Sequence, residues 1–369
     1  MSNDLLAINS GRLLKLLRYL IDIYSPSGKE EEILEFLYGY LRRRNLPVRR
    51  QQLDDHRYNL LVAPPDNTIE LMLVGHLDTV TAYDLDHYES KKQEDLVTGL
   101  GAADMKGGCA ALVEAYVRFL EVRHALPPAS LALVVGEEEE GDGADRLVEE
   151  HHAPWALVAE PTGLHPCLGC YGYVEIQIAV RGMRRHASLA TSKQNPVEAV
   201  LHLVSRLSHY FQEHRPELVY NIRDLFSSQS GFAVSDRCEA WLDVHVPPTA
   251  PMGEITMELE EVVACGREDV GHLDATIRFT TIDAGYELPE KGPIVETLKE
   301  AYTRRTLPWN IEAFRSHSDA NRLWAAGVKP LLVGPGQLEQ AHAPDESISF
   351  HEVERAADLY LAFLDVLAR

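Results

Sequence analysis

The sequence predicts an α/β fold with a mainly parallel sheet, and a smaller α+β domain inserted into it. Two observations predict this fold class. Short, nearly continuous apolar segments alternate with helical segments on both sides of the middle of the chain, as in strands that are covered on both faces. Over residues 173–287 the pattern changes to strands of alternating polarity, which are half buried. The outer domain therefore comprises residues 1–172 and 288–369, and residues 173–287 form the insertion.

The chain begins with two predicted helices. Apolar residues recur at helical spacing over residues 12–23, and Ser10 is in position to cap this helix at its amino end. The sequence SGKE at 27–30 has the form of a capping box and predicts a second helix through about Arg44.

Short apolar segments and helical segments predict the remaining elements. The predicted strands of the outer domain are NLLVA (59–63), ELMLVG (70–75), LALVVG (131–136), WALVA (155–159) and PLLVG (330–334). Its further predicted helices are 105–122, 293–304 and 351–368. The pattern of the insertion predicts a ferredoxin-like α+β unit. Its predicted elements are strand 173–182, helix 195–213, strand 238–247, helix 252–265 and strand 275–282.

Composition and charge exclude several classes of protein. The 369 residues are 45% hydrophobic and 25% charged, the balance of a soluble globular protein rather than a disordered, collagen-like or disulfide-stapled chain. A formal net charge of −22 argues against nucleic acid or an anionic membrane as a partner, because both are polyanions. No secretory signal or membrane-spanning segment is recognisable, and the five cysteines are scattered, so reduced thiols in the cytoplasm are expected.

Side chains suited to metal binding and acid–base chemistry follow one predicted strand after another. His76 and Asp78 come directly after a strand, where an imidazole can bind a metal while the aspartate orients it. Asp104 lies in a turn of small residues, where capping of the next helix is its plainer role. The glutamate run 137–140 follows another strand, although a solvated loop is the ordinary interpretation of such a run.

Glu160 and His342 follow two further strands. In open α/β sheets, sites collect beyond the carboxyl ends of the strands. Carboxylates gathered near histidine are what a divalent metal requires, and an adjacent glutamate can serve as general base. Each signal is weak by itself, but together they predict a metal-dependent site.

The same residues lie in stretches that carry a family resemblance. The stretches are VGHLDTV (74–80), GAADMKGG (101–108), the glutamate run with its flank (137–143), AEPT (159–162), RRHAS (184–188), SDAN (318–321) and GPGQLEQAHAPDE (334–346). Over nearly the whole chain they resemble, in order and spacing, the zinc-dependent aminoacylase and exopeptidase superfamily of acetylornithine deacetylase, succinyl-diaminopimelate desuccinylase and glutamate carboxypeptidase. The last stretch is most similar to acetylornithine and acetyl-lysine deacetylases.

The resemblance implies two divalent metal ions, zinc by preference and cobalt or manganese as alternatives. The implied ligands are His76, Asp104, Glu138, Glu160 and His342. Asp104 bridges the two ions, with His76 and Glu160 at the first. Asp78 supports His76.

Within the glutamate run 137–140, the roles of general base and metal ligand can be assigned in two registers. In the preferred register, Glu137 is the general base and Glu138 the ligand, because Gly143 then stands five residues after the metal-binding glutamate, as is usual in the family. The alternative register makes Glu138 the base and Glu139 the ligand.

The implied reaction is hydrolysis of the amide bond of a small N-acyl amino acid by metal-activated water, with Glu137 moving the proton. His186 matches a family histidine that stabilises the oxyanion, commonly in the site of the partner subunit. A homodimer is therefore implied, with residues 173–287 as a lid and dimerisation domain. A surface residue at a basic strand end is the plainer interpretation of His186.

The substrate-recognition positions depart from the family pattern. His245 and Leu100 stand where the family often has arginines, and residues 316–319 read SHSD in place of GTSD. The candidate substrate-binding residues are His245, Asp319, Arg315, Arg237 and Arg223. Solvated surface side chains are an equally good interpretation of the three arginines.

Other functions stay open. A di- or tripeptidase or a glutamate-releasing carboxypeptidase would use the same metal set. A non-catalytic metal-binding paralogue would have lost a ligand or the base, and no such position is broken here. An amino acid tethered to an acidic carrier protein is a further candidate substrate, which the charge of −22 opposes unless Arg181, Arg184 and Arg185 make the entrance basic.

Overall fold

The computed structural model describes residues 7–65, 69–229, 231–270 and 273–369, and the chain forms two compact units. Unit 1 comprises Met1–Gly169, Leu288–Phe314 and Ser318–Arg369, and unit 2 comprises Cys170–Glu287 and Arg315–His317. The first six residues, part of the start in which no secretory signal is expected, lie outside the described residues.

Helices and strands alternate along unit 1, while long antiparallel strands dominate unit 2. Over the described residues the α-helices are α1 (Ser10–Asp22), α2 (Glu31–Arg42), α3 (Gly107–Arg123), α4 (Asp142–Glu150), α5 (Pro196–His214), α6 (Met252–Asp269), α7 (Pro293–Arg304), α8 (Asp319–Ala325) and α9 (Phe350–Leu367). The strands are β1 (Arg49–Gln52), β2 (Tyr58–Val62), β3 (Leu71–His76), β4 (Lys91–Gln93), β5 (Leu96–Thr98), β6 (Ser130–Val134), β7 (Trp155–Val158), β8 (Cys167–Cys170), β9 (Gly172–Arg181), β10 (Arg185–His186), β11 (Val219–Ser227), β12 (Ala233–Val234), β13 (Arg237–Val246), β14 (Asp274–Asp283), β15 (Tyr286–Glu287), β16 (Glu312–Phe314), β17 (Lys329–Leu332) and β18 (Ser347–Ser349).

The main sheet of unit 1 has the strand order β1-β2-β6-β3-β7-β17-β8. β3 pairs in parallel with β6 and β7, and β17 pairs in parallel with β7, whereas β1 and β2 are antiparallel. Every residue of β2, β3, β6 and β7 is buried, which is why these strands read as continuous apolar segments. The predicted α/β fold with a mainly parallel sheet is confirmed.

The cap of α1 differs from the prediction. Asn9 caps this helix, because its Oδ1 accepts the backbone N–H of Arg12 at 3.0 Å. Ser10 is therefore the first residue of the helix rather than its cap.

The predicted capping box at residues 27–30 does not form. α2 begins without a side-chain cap. Gly28, with a φ of +83°, turns the chain in the left-handed region, which glycine adopts without steric cost. Ser27 is thereby kept out of the helix and contacts Asp78 instead.

Unit 2 contains an antiparallel sheet of the order β11-β13-β9-β14, with α5 and α6 packed against it. Along the chain these elements follow one another as β9-α5-β11-β13-α6-β14, the βαββαβ arrangement of a ferredoxin-like unit. β11 is missing from the sequence prediction, because its side chains are mostly exposed and lack an alternating pattern.

None of the five cysteines forms a disulfide among the described residues. Cys167 and Cys170 are both buried in β8, and their Sγ atoms donate to the carbonyl oxygens of His165 and Ser316. Within the described ranges, none of the helices has the length and apolar character needed to cross a membrane.

Candidate metal centre

The carboxyl ends of neighbouring strands in unit 1 deliver the predicted metal-binding side chains. The order β6-β3-β7-β17 places these ends next to one another, because parallel strands end at the same edge of a sheet. Glu137 and Glu138 follow β6, His76 ends β3, Glu160 follows β7, and His342 lies beyond β17. Segments that are distant in sequence therefore meet at one place.

Asp104 enters the same place from the turn before α3. It lies in the turn Ala102–Lys106, where its own φ of −118° and ψ of 99° are not helical, and it makes no capping hydrogen bond to α3. The plainer interpretation of Asp104 as a helix cap is therefore wrong. Oδ1 of Asp104 lies 3.2 Å from Nε2 of His76, and Oδ2 lies 3.7 Å from Nε2 of His342. Its two oxygens are thus directed toward two different histidines.

Two groups of potential ligands share Asp104. The first consists of His76, Asp104 and Glu160, the second of Asp104, Glu138 and His342, and within each group the ligand atoms lie within 4.8 Å of one another. Nε2 of His342 is 2.9 Å from Oε2 of Glu138. These groups have the same membership as the two sets that the family resemblance implies.

Buried oxygen atoms without a partner test whether cations fit these groups. Oε1 of Glu138 and Oε1 of Glu160 are buried and accept no hydrogen bond from any described residue. A buried carboxylate oxygen in this state is costly, and direct coordination to a cation removes the cost. Histidine nitrogen and carboxylate oxygen are ligands that zinc, cobalt and manganese accept. The donor set therefore fits two divalent ions.

The charges in this place also favour a cation. Burial raises the pKa of Glu137 and Glu160 well above the usual value for glutamate, and neighbouring carboxylates add to the effect. Burial opposes protonation of His76, but nearby carboxylates outweigh it and raise its pKa well above the usual range. A hydrogen bond with Glu138 raises the pKa of His342 to about 9. The carboxylates of this place thus carry more negative charge than its two histidines can neutralise.

The geometry favours one register of the glutamate run. Glu138 belongs to the second ligand group with Asp104 and His342, and both Glu137 and Glu138 form a further group with His76. Glu137, whose Oε2 lies 3.8 Å from Nε2 of His76, is not a member of either group that contains Asp104. Glu139 is exposed and lines a surface cavity beside Arg57. The register with Glu138 as ligand and Glu137 as base therefore has the better geometric support.

Asp78 holds His76 from the side opposite to Asp104. Nδ1 of His76 is 3.1 Å from the backbone oxygen of Asp78 and 3.6 Å from its Oδ1. Oδ2 of Asp78 accepts the hydroxyl of Ser27 at 2.7 Å and the backbone N–H of Glu138 at 3.0 Å. Ser27 is missing from the predicted site, because its only sequence signal was a local pattern that indicated a helix cap.

Asp319, a predicted substrate contact, is a buried carboxylate at the start of α8. Ser318 and Asn321 cap this helix, so the carboxylate of Asp319 is not used for capping. Both of its oxygens are buried and unpartnered among the described residues. Burial raises the pKa of Asp319 to about 7, with the charge of His76 opposing and that of Asp78 adding to the effect.

Aromatic rings surround His245 in unit 2. Tyr173 and His317 stack with ring centroids 4.0 Å apart, and the ring of His245 lies 5.6 Å from that of Tyr173. Burial lowers the pKa of His245, which favours the neutral form of its ring. Tyr173 and His317 are absent from the predicted site residues, although His317 lies in the stretch 316–319 that departs from the family pattern.

The other predicted residues of unit 2 differ in their availability. His186 is exposed, and its Nδ1 is 2.8 Å from the hydroxyl of Ser188. Arg237 and Arg223 already pair with neighbouring carboxylates. Arg315 is exposed, and no ion pair to it is found among the residues that the structure describes. Arg315 is thus the most available of the three arginines.

Comparison with known proteins gives matches over most of the chain. The family model for peptidase family M20/M25/M40 matches residues 72–366. A probable carboxypeptidase of Aspergillus clavatus is 26% identical over 392 residues, which cover 97% of this chain and 89% of the relative. An acetylornithine deacetylase of Edwardsiella ictaluri is 26% identical over 343 residues, 86% of either chain. The crystal structure of a Staphylococcus aureus tripeptidase has the same fold, with a TM-score of 0.80 at 20% identity over 98% of this chain and 99% of that one.

Proposed function

Because the chain belongs to peptidase family M20/M25/M40, and its relatives hydrolyse amide bonds, we propose that it deacylates a small N-acyl amino acid with two divalent metal ions. One observation carries the proposal: two complete ligand groups share Asp104. No metal-binding position and no candidate base is lost, which argues against a non-catalytic paralogue.

The proposal gives each residue of unit 1 a separate task. The residues that would hold the ions are His76, Asp104 and Glu160 for one, and Asp104, Glu138 and His342 for the other. Bound ions, with zinc preferred and cobalt or manganese possible, supply a Lewis acid for the scissile carbonyl and lower the pKa of water toward about 7. Glu137, which neither set requires, accepts the proton of the attacking water and returns it to the leaving amine. Asp78 keeps the ring of His76 oriented.

An N-acyl amino acid is the first candidate substrate. The related acetylornithine deacetylase and the stretch 334–346 support this choice. A cavity of about 300 Å³ in unit 1 borders His342 and Leu100, and its size suits one small acyl group or side chain. Asp319, whose two oxygens have no partner among the described residues, suits an ammonium group of the substrate. From unit 2, we assign His186 to the oxyanion and Arg315 to the substrate carboxylate.

A peptidase is the second candidate. The probable carboxypeptidase among the relatives favours it, since it matches 97% of this chain, against 86% for the acetylornithine deacetylase of Edwardsiella ictaluri. The two functions differ only in what lies beyond the scissile amide, because the metal groups and Glu137 would serve both.

A homodimer through unit 2 is part of the proposal. β11 is an edge strand of the unit 2 sheet, and Val219, Leu225 and Phe226 on it are exposed. Exposed apolar side chains on an edge strand favour pairing with another chain.

The proposed setting is the cytoplasm, with a small molecule as substrate. Five free cysteines suit a reducing compartment. The net charge of −22 opposes nucleic acid and anionic membranes as partners.

A substrate screen tests this function. The full chain, loaded with zinc or cobalt, is assayed with acetyl-, succinyl- and formyl-amino acids beside di- and tripeptides. Hydrolysis of an N-acyl amino acid with the highest kcat/KM is expected. Preference for peptides would move the assignment to the second candidate, and no hydrolysis of either class by the fully loaded protein would overturn the enzyme assignment.

A further inference from the structure

Glu346 connects the segment that carries His342 to the turn that carries Asp104. Only 3% of its surface is exposed. Its Oε1 accepts the backbone N–H groups of Ala103 and Asp104 at 2.8 and 2.9 Å, and its Oε2 accepts that of Gly101 at 2.7 Å. One carboxylate thus satisfies three N–H groups of a single turn.

The backbone of Glu346 is itself fixed to the same turn. β18 pairs with β5, with Ile348 opposite Val97. The N–H of Gly99 donates to the backbone oxygen of Glu346 at 2.9 Å. The pairing of β18 with β5 is therefore extended by this backbone hydrogen bond. The Glu346 side chain then binds the turn that follows β5 and carries Asp104.

An anion is the natural partner for this turn. Gly101 has a φ of +74°, and the N–H groups at 101, 103 and 104 converge on one acceptor, as in backbone nests that bind anions. A side chain without acceptor oxygens would leave these N–H groups buried without a partner, and the turn would then be free to adopt other conformations.

We propose that Glu346 is a positioning residue of the metal centre, which holds the turn so that Asp104 directs one oxygen toward His76 and the other toward His342. The proposal rests on the proposed function, because it assumes that Asp104 bridges two ions. It has a distinctive consequence. Loss of a histidine affects the ion at one group, whereas loss of Glu346 weakens both groups together, since both use Asp104.

Metal titration of the full chain separates these cases. Metal-free wild type, Glu346→Ala, Glu346→Gln and His342→Ala are titrated with Co²⁺, and the visible absorption of bound cobalt and competition with a chelator give an affinity for each equivalent. Glu339→Gln is the matched control, because Glu339 is exposed in the turn Leu338–Gln340 just before His342. Melting curves of the metal-free proteins show which variants are folded.

We expect Glu346→Ala to weaken both equivalents by about 10- to 100-fold, as loss of an outer hydrogen-bond partner does at other metal sites. Glu346→Gln keeps one acceptor oxygen and should weaken both by less, while His342→Ala weakens one and Glu339→Gln neither. Wild-type affinity in both Glu346 variants, or loss of one equivalent only, would overturn the proposal. If Glu346→Ala does not fold, Glu346→Gln alone decides. Wild type that binds fewer than two ions would instead overturn the proposed function.

Discussion

The hydroxyl of Ser27 donates a hydrogen bond of 2.7 Å to Oδ2 of Asp78, a residue 51 positions later in the chain. The same oxygen accepts the backbone N–H of Glu138. Asp78 in turn supports the ring of His76 from its Nδ1 side. A loop before α2 therefore contributes to the orientation of His76, the proposed metal ligand at the end of β3.

Removal of this hydroxyl should slow the reaction without unfolding the protein. In Ser27→Ala, Asp78 keeps one of two donors to Oδ2, so we expect kcat/KM of the metal-loaded enzyme to fall by about tenfold. Ser27→Thr keeps the hydroxyl and is the control. Steady-state kinetics with the best substrate of the screen measure the effect. Wild-type kinetics in Ser27→Ala would show that Glu138 N–H alone is sufficient.

The glutamate run predicts three different outcomes for three isosteric changes. Glu137→Gln should lower kcat by about 10²- to 10⁴-fold and still bind two metal ions, because it removes only the proton acceptor. Glu138→Gln should lose affinity for one equivalent. Glu139→Gln, at an exposed position, should change neither property. Metal content by mass spectrometry, together with kinetics, distinguishes them; metal loss in Glu139→Gln would favour the other register.

Removal of metal should abolish activity and reduce thermal stability. Without a cation, the buried oxygens of Glu138 and Glu160 have no partner among the described residues, and the neighbouring carboxylates repel one another. An ion that binds only the folded chain stabilises it by mass action. We expect dialysis against a chelator to abolish hydrolysis and lower the Tm, and zinc or cobalt to restore both. An unchanged Tm after complete metal removal would contradict this reasoning.

The ion pair between Arg215 and Glu258 in unit 2 predicts that the stability of the protein depends on pH. Arg215 contacts Glu258 through two bonds of 2.6 and 2.8 Å, and these hydrogen bonds, with one from Tyr210, lower the pKa of Glu258 to about 2. Since this folded-state pKa is below the ordinary 4.5, the stabilisation is complete above that value and is lost as the pH falls toward about 2.

Glu258→Gln should therefore lower the Tm at pH 7 by about 1–3 °C, because the pair is only partly buried and solvent screens it. It should also make the Tm less dependent on pH between about 5 and 2. Glu261→Gln, at an exposed position of the same helix, is the control. Thermal melts over this pH range are the measurement, and parallel profiles for Glu258→Gln and wild type would refute the assignment.

Because β11 exposes apolar side chains, we expect a single charged residue on this strand to disrupt the proposed homodimer. Phe226 has 59% of its surface exposed on this edge strand. Phe226→Lys places a charge there and should convert a dimer into monomers, as measured by sedimentation velocity. Phe232→Lys, also in unit 2 and 90% exposed but outside β11, should leave the dimer intact. Wild type that sediments as a monomer would remove this part of the proposal.

The elements that could be predicted from the sequence are those in which the apolar positions are also the buried positions. β3 and β6 are buried at every position and read as apolar segments, and α7 falls on the predicted residues 293–304. β11 escaped prediction because an exposed edge strand has no need of apolar alternation. At the site, the strand-end residues could be found because topology brings strand ends together. Ser27 and Glu346 could not be assigned roles, because their partners lie far away in sequence.

The ligand groups draw on both outer segments of the chain, with Glu160 before unit 2 and His342 after it. During synthesis, the second group therefore stays incomplete until residue 342 has been added. A nascent or prematurely terminated chain that ends before this residue carries His76, Asp104, Glu138 and Glu160 but lacks His342. If Asp104 bridges two ions as proposed, such a product has the ligands for the first ion only, and the order of synthesis sets the order in which the two ions can bind.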